Sequence, residues 1–223
     1  ETIWAGSYSP STGWGTPTLI ELIASDTDTR DALAPQIGMD AAGNAIAVWM
    51  QFEGTRSDSY SASTGTWGTA TLIESEDSGP AFLPKLAVSR GGNAVVVWTQ
   101  VIAGTQSLRA NNYSAGQWGQ AELLHGSSAD RPQVAMDANG NAIAVWMNFD
   151  SIARRNNLFT NSYSAGAWGT AELLKPSDTN DAFNPTITFD RVGNAIAAWQ
   201  QFGSAGNSIW TRFYSADNGW RVN

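Results

Sequence analysis

One block of residues recurs four times along the chain. It has the form Pro-x(8)-Asn-Ala-φ-x-φ-Trp, with φ apolar, and runs Pro35–Trp49, Pro84–Trp98, Pro132–Trp146 and Pro185–Trp199. Each block is followed by a Tyr-Ser step and a second Trp. Successive blocks start 49, 48 and 53 residues apart, too long for one hairpin and suited to one four-stranded unit. The spacing therefore predicts an all-β fold, a β-propeller of four-stranded blades with about 50 residues each. Read this way, residues 1–223 form a single domain. It holds an N-terminal half-blade over 1–24 and four full modules over approximately 33–75, 82–125, 130–175 and 183–223.

Within a module the strands read in order. Strand A is the short run after the Pro: Gln36 to Met39, Lys85 to Val88, Gln133 to Met136 and Thr186 to Phe189. A tight turn follows, in which Gly43, Gly92, Gly140 and Gly193 take the place needing a positive φ. Strand B alternates small Ala45 and Ala47 with bulky Ile46 and Val48, the period of two that marks a strand. Its all-Ala face suits crowding near an axis, so A and B are expected innermost. Strand C ends at Tyr8, Tyr60, Tyr113, Tyr163 and Tyr214, which are all five tyrosines. Strand D carries Trp14, Trp67, Trp118, Trp168 and Trp220. A catalytic Tyr is needed once and a packing Tyr in every module, so this series reads as packing.

Four A–B hairpins stand against five C–D pairs. Closure of the ring is left open: the half-blade completes it, or a larger parent chain or a second chain does.

Composition narrows the function classes. The chain has 42% hydrophobic residues and eleven Trp, enough for a sizeable core, and no apolar stretch of the length a membrane helix needs. A net charge of -8 repels phosphate backbones and argues against nucleic acid and anionic membranes as partners. The absence of cysteine excludes disulfide-stapled folds and thiolate sites. Glu1 in first place reads as a processed chain or a piece of a larger one.

Two resemblances rest on particular residues. The hairpin of residues 132–146, Pro-Gln-Val-Ala-Met-Asp-Ala-Asn-Gly-Asn-Ala-Ile-Ala-Val-Trp, is similar to that of NHL-type propeller repeats. The C–D turns, such as Ser61-Ala62-Ser63-Thr64-Gly65-Thr66-Trp67 and Ser215-Ala216-Asp217-Asn218-Gly219-Trp220, resemble the Asp-box of sialidase-type (BNR) repeats. They depart from it, since only Asp217 supplies the Asp and the Trp comes one or two residues early. The resemblance implies a bacterial propeller repeat protein that is secreted or on the cell surface. A sialidase-like activity would further need an Arg cluster, a Tyr activated by Glu and an acid.

Candidate ligand sites follow from where the modules differ. The A–B side is constant, whereas the strand B Trp to strand C Tyr interval runs 11, 15, 17 and 15 residues. The strand D Trp to next Pro interval runs 21, 17, 14 and 17. Both loop sets emerge on one face, and variation confined to one face commonly marks the binding face. There an amide lies two residues beyond each strand B Trp, giving the pairs Trp49–Gln51, Trp98–Gln100, Trp146–Asn148 and Trp199–Gln201. An indole beside a planar amide can stack on and hydrogen-bond a sugar, and the same amide can instead satisfy loop backbone. On strand C, four residues before the Tyr, stand Trp4, Arg56, Arg109, Phe159 and Trp210, with Arg212 two before Tyr214. They read as sugar subsites or as outer packing. Asp26, Asp28 and Asp31 have oxygen spacing that Ca²⁺ could use; a solvated turn explains them too. Otherwise no cofactor is expected, and His125, in the place of Glu74 and Lys175, reads as a solvent residue.

These readings converge on a non-catalytic extracellular binding module, lectin-like and multivalent, with a glycan or protein ligand. A structural scaffold of a surface assembly is the alternative, and a sialidase-like glycosidase has the least support, because a unique catalytic constellation is missing.

Overall fold

The computed structural model describes residues 1–21, 31–51, 54–74, 79–175, 180–203 and 206–221. Every regular element among them is a β-strand. Each module forms one antiparallel sheet in the order A-B-C-D. The A, B and C strands are Ala32–Met39, Ala45–Gln51 and Gly54–Ser61 in module one, and Ala81–Val88, Ala94–Ile102 and Thr105–Ser114 in module two. They are Ala129–Met136, Ala142–Asp150 and Arg155–Ser164 in module three, and Ala182–Phe189, Ala195–Gly203 and Gly206–Ser215 in module four. In modules one to three strand D is broken into two short pieces that both pair with strand C, such as Gln117–Trp118 and Glu122–His125 in module two. The N-terminal segment supplies only a C–D pair, with Trp4–Ala5 against Thr18–Leu19 and Tyr8–Ser9 against Gly13–Trp14.

Strand A is longer than the sequence suggests. It starts before the Pro and is broken by a register shift at that residue, as between Leu33 and Gln36. The residue preceding each Pro, Ala34, Leu83, Arg131 or Asn184, sits at φ between 48 and 53°. This left-handed step makes a bulge, and at the bulge Pro, which has no N–H, leaves the ladder without orphaning a partner. Period-two reasoning starts at the Pro because it has no way to see across a bulge.

The alternation on strand B explains how modules join. The A strands of successive modules lie side by side, so A edges converge and D edges lie outside. Ala182, Ala195, Ala197 and Trp199 of module four pack on Ile143, Val145, Met147, Leu158 and Leu174 of module three. The same arrangement joins modules two and three and one and two, while Ile3 and Ile20 of the half-blade cover Ala32, Ala47 and Trp49. Small residues on one face let the next sheet approach, and bulky ones on the other fill the gap. Each Tyr meets its own module's strand D Trp at centroid distances of 5.3 to 5.6 Å.

The A–B turns close on themselves and on each other. In module one Asp40 accepts the Ala42 and Asn44 N–H groups at 2.8 and 2.9 Å and the Asn44 amide at 2.8 Å. The bonds from Asn44 hold its carboxyl below the usual carboxylate range. Gly92, at φ 85°, lets the next turn approach, since a Cβ there would come 3.2 Å from Asp40 Oδ2. Gly92→Ala is expected to cost about 1–2 kcal/mol, the penalty for an L-residue in left-handed backbone, with any crowding at Asp40 added. Gly104→Ala, at φ 77° with nothing within 4 Å, isolates the backbone part. Equal losses in denaturant titration would rule out a role for the turn-to-turn contact.

Candidate functional site

Period two puts the strand B Trp and the amide two residues on upon one face, and strand C supplies the cross-strand neighbour. Trp49 lies opposite Arg56, Trp98 opposite Arg109, Trp146 opposite Phe159 and Trp199 opposite Trp210. The structure thus unites the two sets of candidates, and it buries them. The four strand B indoles are at most 2% exposed, and Gln51, Gln100, Asn148 and Gln201 at most 9%. Trp49, Trp98 and Trp199 donate through Nε1 to Gln51, Gln100 and Gln201 at 3.2, 3.4 and 3.0 Å. Gln100 in turn donates to Glu74 of the preceding module and to the Gly79 carbonyl. Glu74 also accepts the Thr55 N–H. This layer leaves no indole face for a sugar ring, and the amides satisfy buried partners as internal braces.

The strand C set divides. Arg56 and Arg109 are half-buried, and Trp210 is 43% exposed with its Nε1 bonded to Ser208. Arg212 donates to the Leu173 and Leu174 carbonyls of module three at 3.2 and 2.9 Å and lies 5.8 Å from the Trp220 ring, which makes it a tie between modules. Asn111 does the same work two interfaces earlier, donating to the Ile73 carbonyl of module one at 2.7 Å. Of the suggested calcium ligands, Asp26 and Asp28 lie outside the described residues, and Asp31 pairs with the N-terminal ammonium of Glu1.

His125 is not a solvent residue. Its ring lies 5.6 Å from Trp146 and 5.0 Å from Phe159, and Nε2 meets Asn148 Nδ2 at 3.1 Å. The equivalent Glu74 and Lys175 are buried as well. Asn is one methylene shorter than Gln, and here Trp146 Nε1 lacks a hydrogen-bond partner among the described residues. Burial lowers the His125 pKa from its ordinary value near 6.5. The unfolded chain therefore takes up a proton at a higher pH than the folded one, so this contribution is full above about pH 6.5 and is lost as pH falls below it. Melting between pH 7.5 and 5.5 should show a larger drop for the wild type than for His125→Gln, and parallel profiles would refute the assignment.

An open cleft lies on the face of the B–C and D–A loops, between modules two and three. Its volume is about 470 Å³, and its lining includes Gln106, Ser127, Ser128, Asp130, Phe149 and Asn156. Phe149 is 48% exposed there. Asp130 Oδ1 accepts the Arg131 N–H at 2.8 Å, and the Arg131 Nε lies 3.7 Å from Oδ2. The left-handed Arg131 turns its amide toward the carboxylate before it, while its guanidinium bonds Asn184 of module four. Asp181, at the start of the next inner strand, accepts the Asn156 N–H at 2.6 Å and so stands behind the cleft wall. The sequence picks out this face by its variable loops; Phe149 goes unnoticed because strand B ends beyond the repeated block.

No family model matches the sequence, and no curated protein matches it. Solved structures of similar fold do exist. A Hadza microbial sialidase superposes with a TM-score of 0.58 at 10% identity, covering 86% of this chain and 46% of the sialidase. A protein of unknown function from Dyadobacter fermentans gives 0.60 at 12% identity over 87% and 70% of the two chains. An α-L-arabinanase from Penicillium chrysogenum gives 0.55 at 13% over 82% and 62%. The chain thus spans less than half of the sialidase and under two thirds of the arabinanase. At these identities the likeness establishes the fold, which is that of a β-propeller.

The same findings correct the expectation of a non-catalytic binding or scaffold module. Most of the similar structures are glycoside hydrolases, among them an endo-arabinase and an α-L-arabinofuranosidase. The expectation rested on the lack of a unique constellation in the repeats. A propeller can assemble such a constellation from single, unrepeated loop residues, which comparing one module with another discards.

Proposed function

We propose that the protein is a glycoside-hydrolysing β-propeller, secreted or displayed on the cell surface, with its site in the cleft between modules two and three. In this reading each module is a four-stranded blade, and four blades follow the N-terminal half-blade. The cleft carries the proposal: it combines an exposed aromatic face, neutral hydrogen-bonding side chains and an accessible, oriented carboxylate, the combination a sugar ring and its glycosidic bond require. Phe149 offers a platform for the apolar face of the ring, and Gln106, Ser127 and Ser128 bind hydroxyls. Asp130 acts as the base or nucleophile, and Asp181, which would have to release the Asn156 N–H to reach the cleft, is the candidate for the second carboxyl of the pair. Two carboxyls and a water ask for no cofactor.

The substrate class follows from charge. A sialoside requires several arginines around its carboxylate and an activated Tyr, whereas all five tyrosines pack against tryptophans, and no Arg lines the described cleft. A neutral glycan such as arabinan, the type of substrate named for the arabinanases of similar fold, suits it better. Release of fluorophore from an α-L-arabinofuranoside, or of oligosaccharides from debranched arabinan, is the expected result. Folded protein that turns over neither, or that cleaves only a sialoside, would refute the proposal.

A further inference from the structure

Module four ends the stack with an uncovered sheet face. In modules two and three the positions equivalent to Ile209, Leu108 and Leu158, are fully buried by the module that follows, and those equivalent to Ile196, Val95 and Ile143, are at most 1% exposed. On module four Ile209 is 71% exposed, Ile196 39% and Phe213 47%. Thr188, Phe189, Ile196, Phe213 and Tyr214 line a groove of about 320 Å³ there. The corresponding cleft on module one is walled by Val88, Gly92, Asn93 and Tyr113 of module two.

The other end of the stack has the complementary feature. Trp4 stands at the strand C position that, in every full module, lies directly across from the strand B Trp. Among the described residues the segment Trp4–Ala5 pairs only with Thr18–Leu19, and Trp4 is 59% exposed. One end exposes a bulky face shaped for an Ala-rich hairpin, and the other exposes a strand C edge without its strand B.

We infer that a further A–B hairpin of this same repeat is the partner of both surfaces, its Ala face on Ile196 and Ile209 and its Trp across from Trp4. Continuity with the interfaces between modules one, two, three and four identifies the occupant, since each is formed by such a hairpin on such a face. A contiguous apolar surface of this kind is unusual on a free sheet and marks an interaction site. A second copy of the chain is a poorer fit, because the small-residue face of each of its B strands, as at Ala47, Ala144 and Ala197, is already buried in its own stack.

The test appends a second copy of residues 128–150, the hairpin of module three, through a Gly-Ser linker after Asn223. The expected product is a monomer whose Trp emission shifts to the blue, whose quenching by iodide falls, and whose melting temperature rises by about 5 °C or more, the response to roughly 2 kcal/mol in a chain of this size. Introducing W146A in the appended copy alone should abolish the gain. Unchanged emission and melting in the fusion would overturn the inference. So would an unfused chain that sediments as a dimer and is made monomeric by Ile209→Asp, because a second copy would then cover the face.

Discussion

Trp98→Ala lowers the free energy of unfolding by about 3–5 kcal/mol, the range for deleting a buried large aromatic. Trp98 is fully buried and belongs to the cluster with Ile46, Val48, Ile73, Ala81 and Val96, so its removal opens a cavity between two modules. The loss also leaves Gln100, 2% exposed, without the indole donor that its Oε1 accepts. Neighbouring sheets held on both sides have little freedom to collapse into the space. A melting midpoint lower by on the order of 10 °C is expected for a chain of this length. Trp210→Ala, at a cross-strand position that is 43% exposed, should cost much less. If the two variants melted together, the internal layer would not be what joins the modules.

Asp130→Asn removes the charge and keeps the shape. If Asp130 works as base or nucleophile, kcat/KM on the arabinose substrate falls by about 10²–10⁴-fold, the usual contribution of a positioned acid–base group. Melting should be nearly unchanged, because the side chain is 40% exposed and the Arg131 N–H keeps an oxygen acceptor. Phe149→Ala should instead raise KM with a smaller effect on kcat, as expected for uniform binding by a platform. Full activity in Asp130→Asn would remove this cleft as the reaction site.

The strand order, the packing role of the tyrosines and the propeller architecture are all legible in the chain alone, because repetition averages out local ambiguity. A residue type found at one position in four or five modules serves something every module needs, and what every module needs is packing. The variable loops point to a face for the same reason, read in reverse.

Tertiary structure decided the rest. Trp98 and Gln100 carry the same signature whether they stack on a sugar or brace a core, since period two reports which face a residue shares and not what covers that face. Covering is set by the neighbouring module, which brings Glu74 to Gln100 and Leu174 to Arg212 across more than twenty residues of chain. His125 reads as a solvent residue until the sheets assemble around it and set its ring against Trp146 and Phe159. The cleft at Asp130 and Phe149 needs two modules and a left-handed Arg131 to exist at all. Local pattern encodes strands and their faces, whereas burial, and with it the difference between a brace and a binding site, arises only from the contacts between sheets.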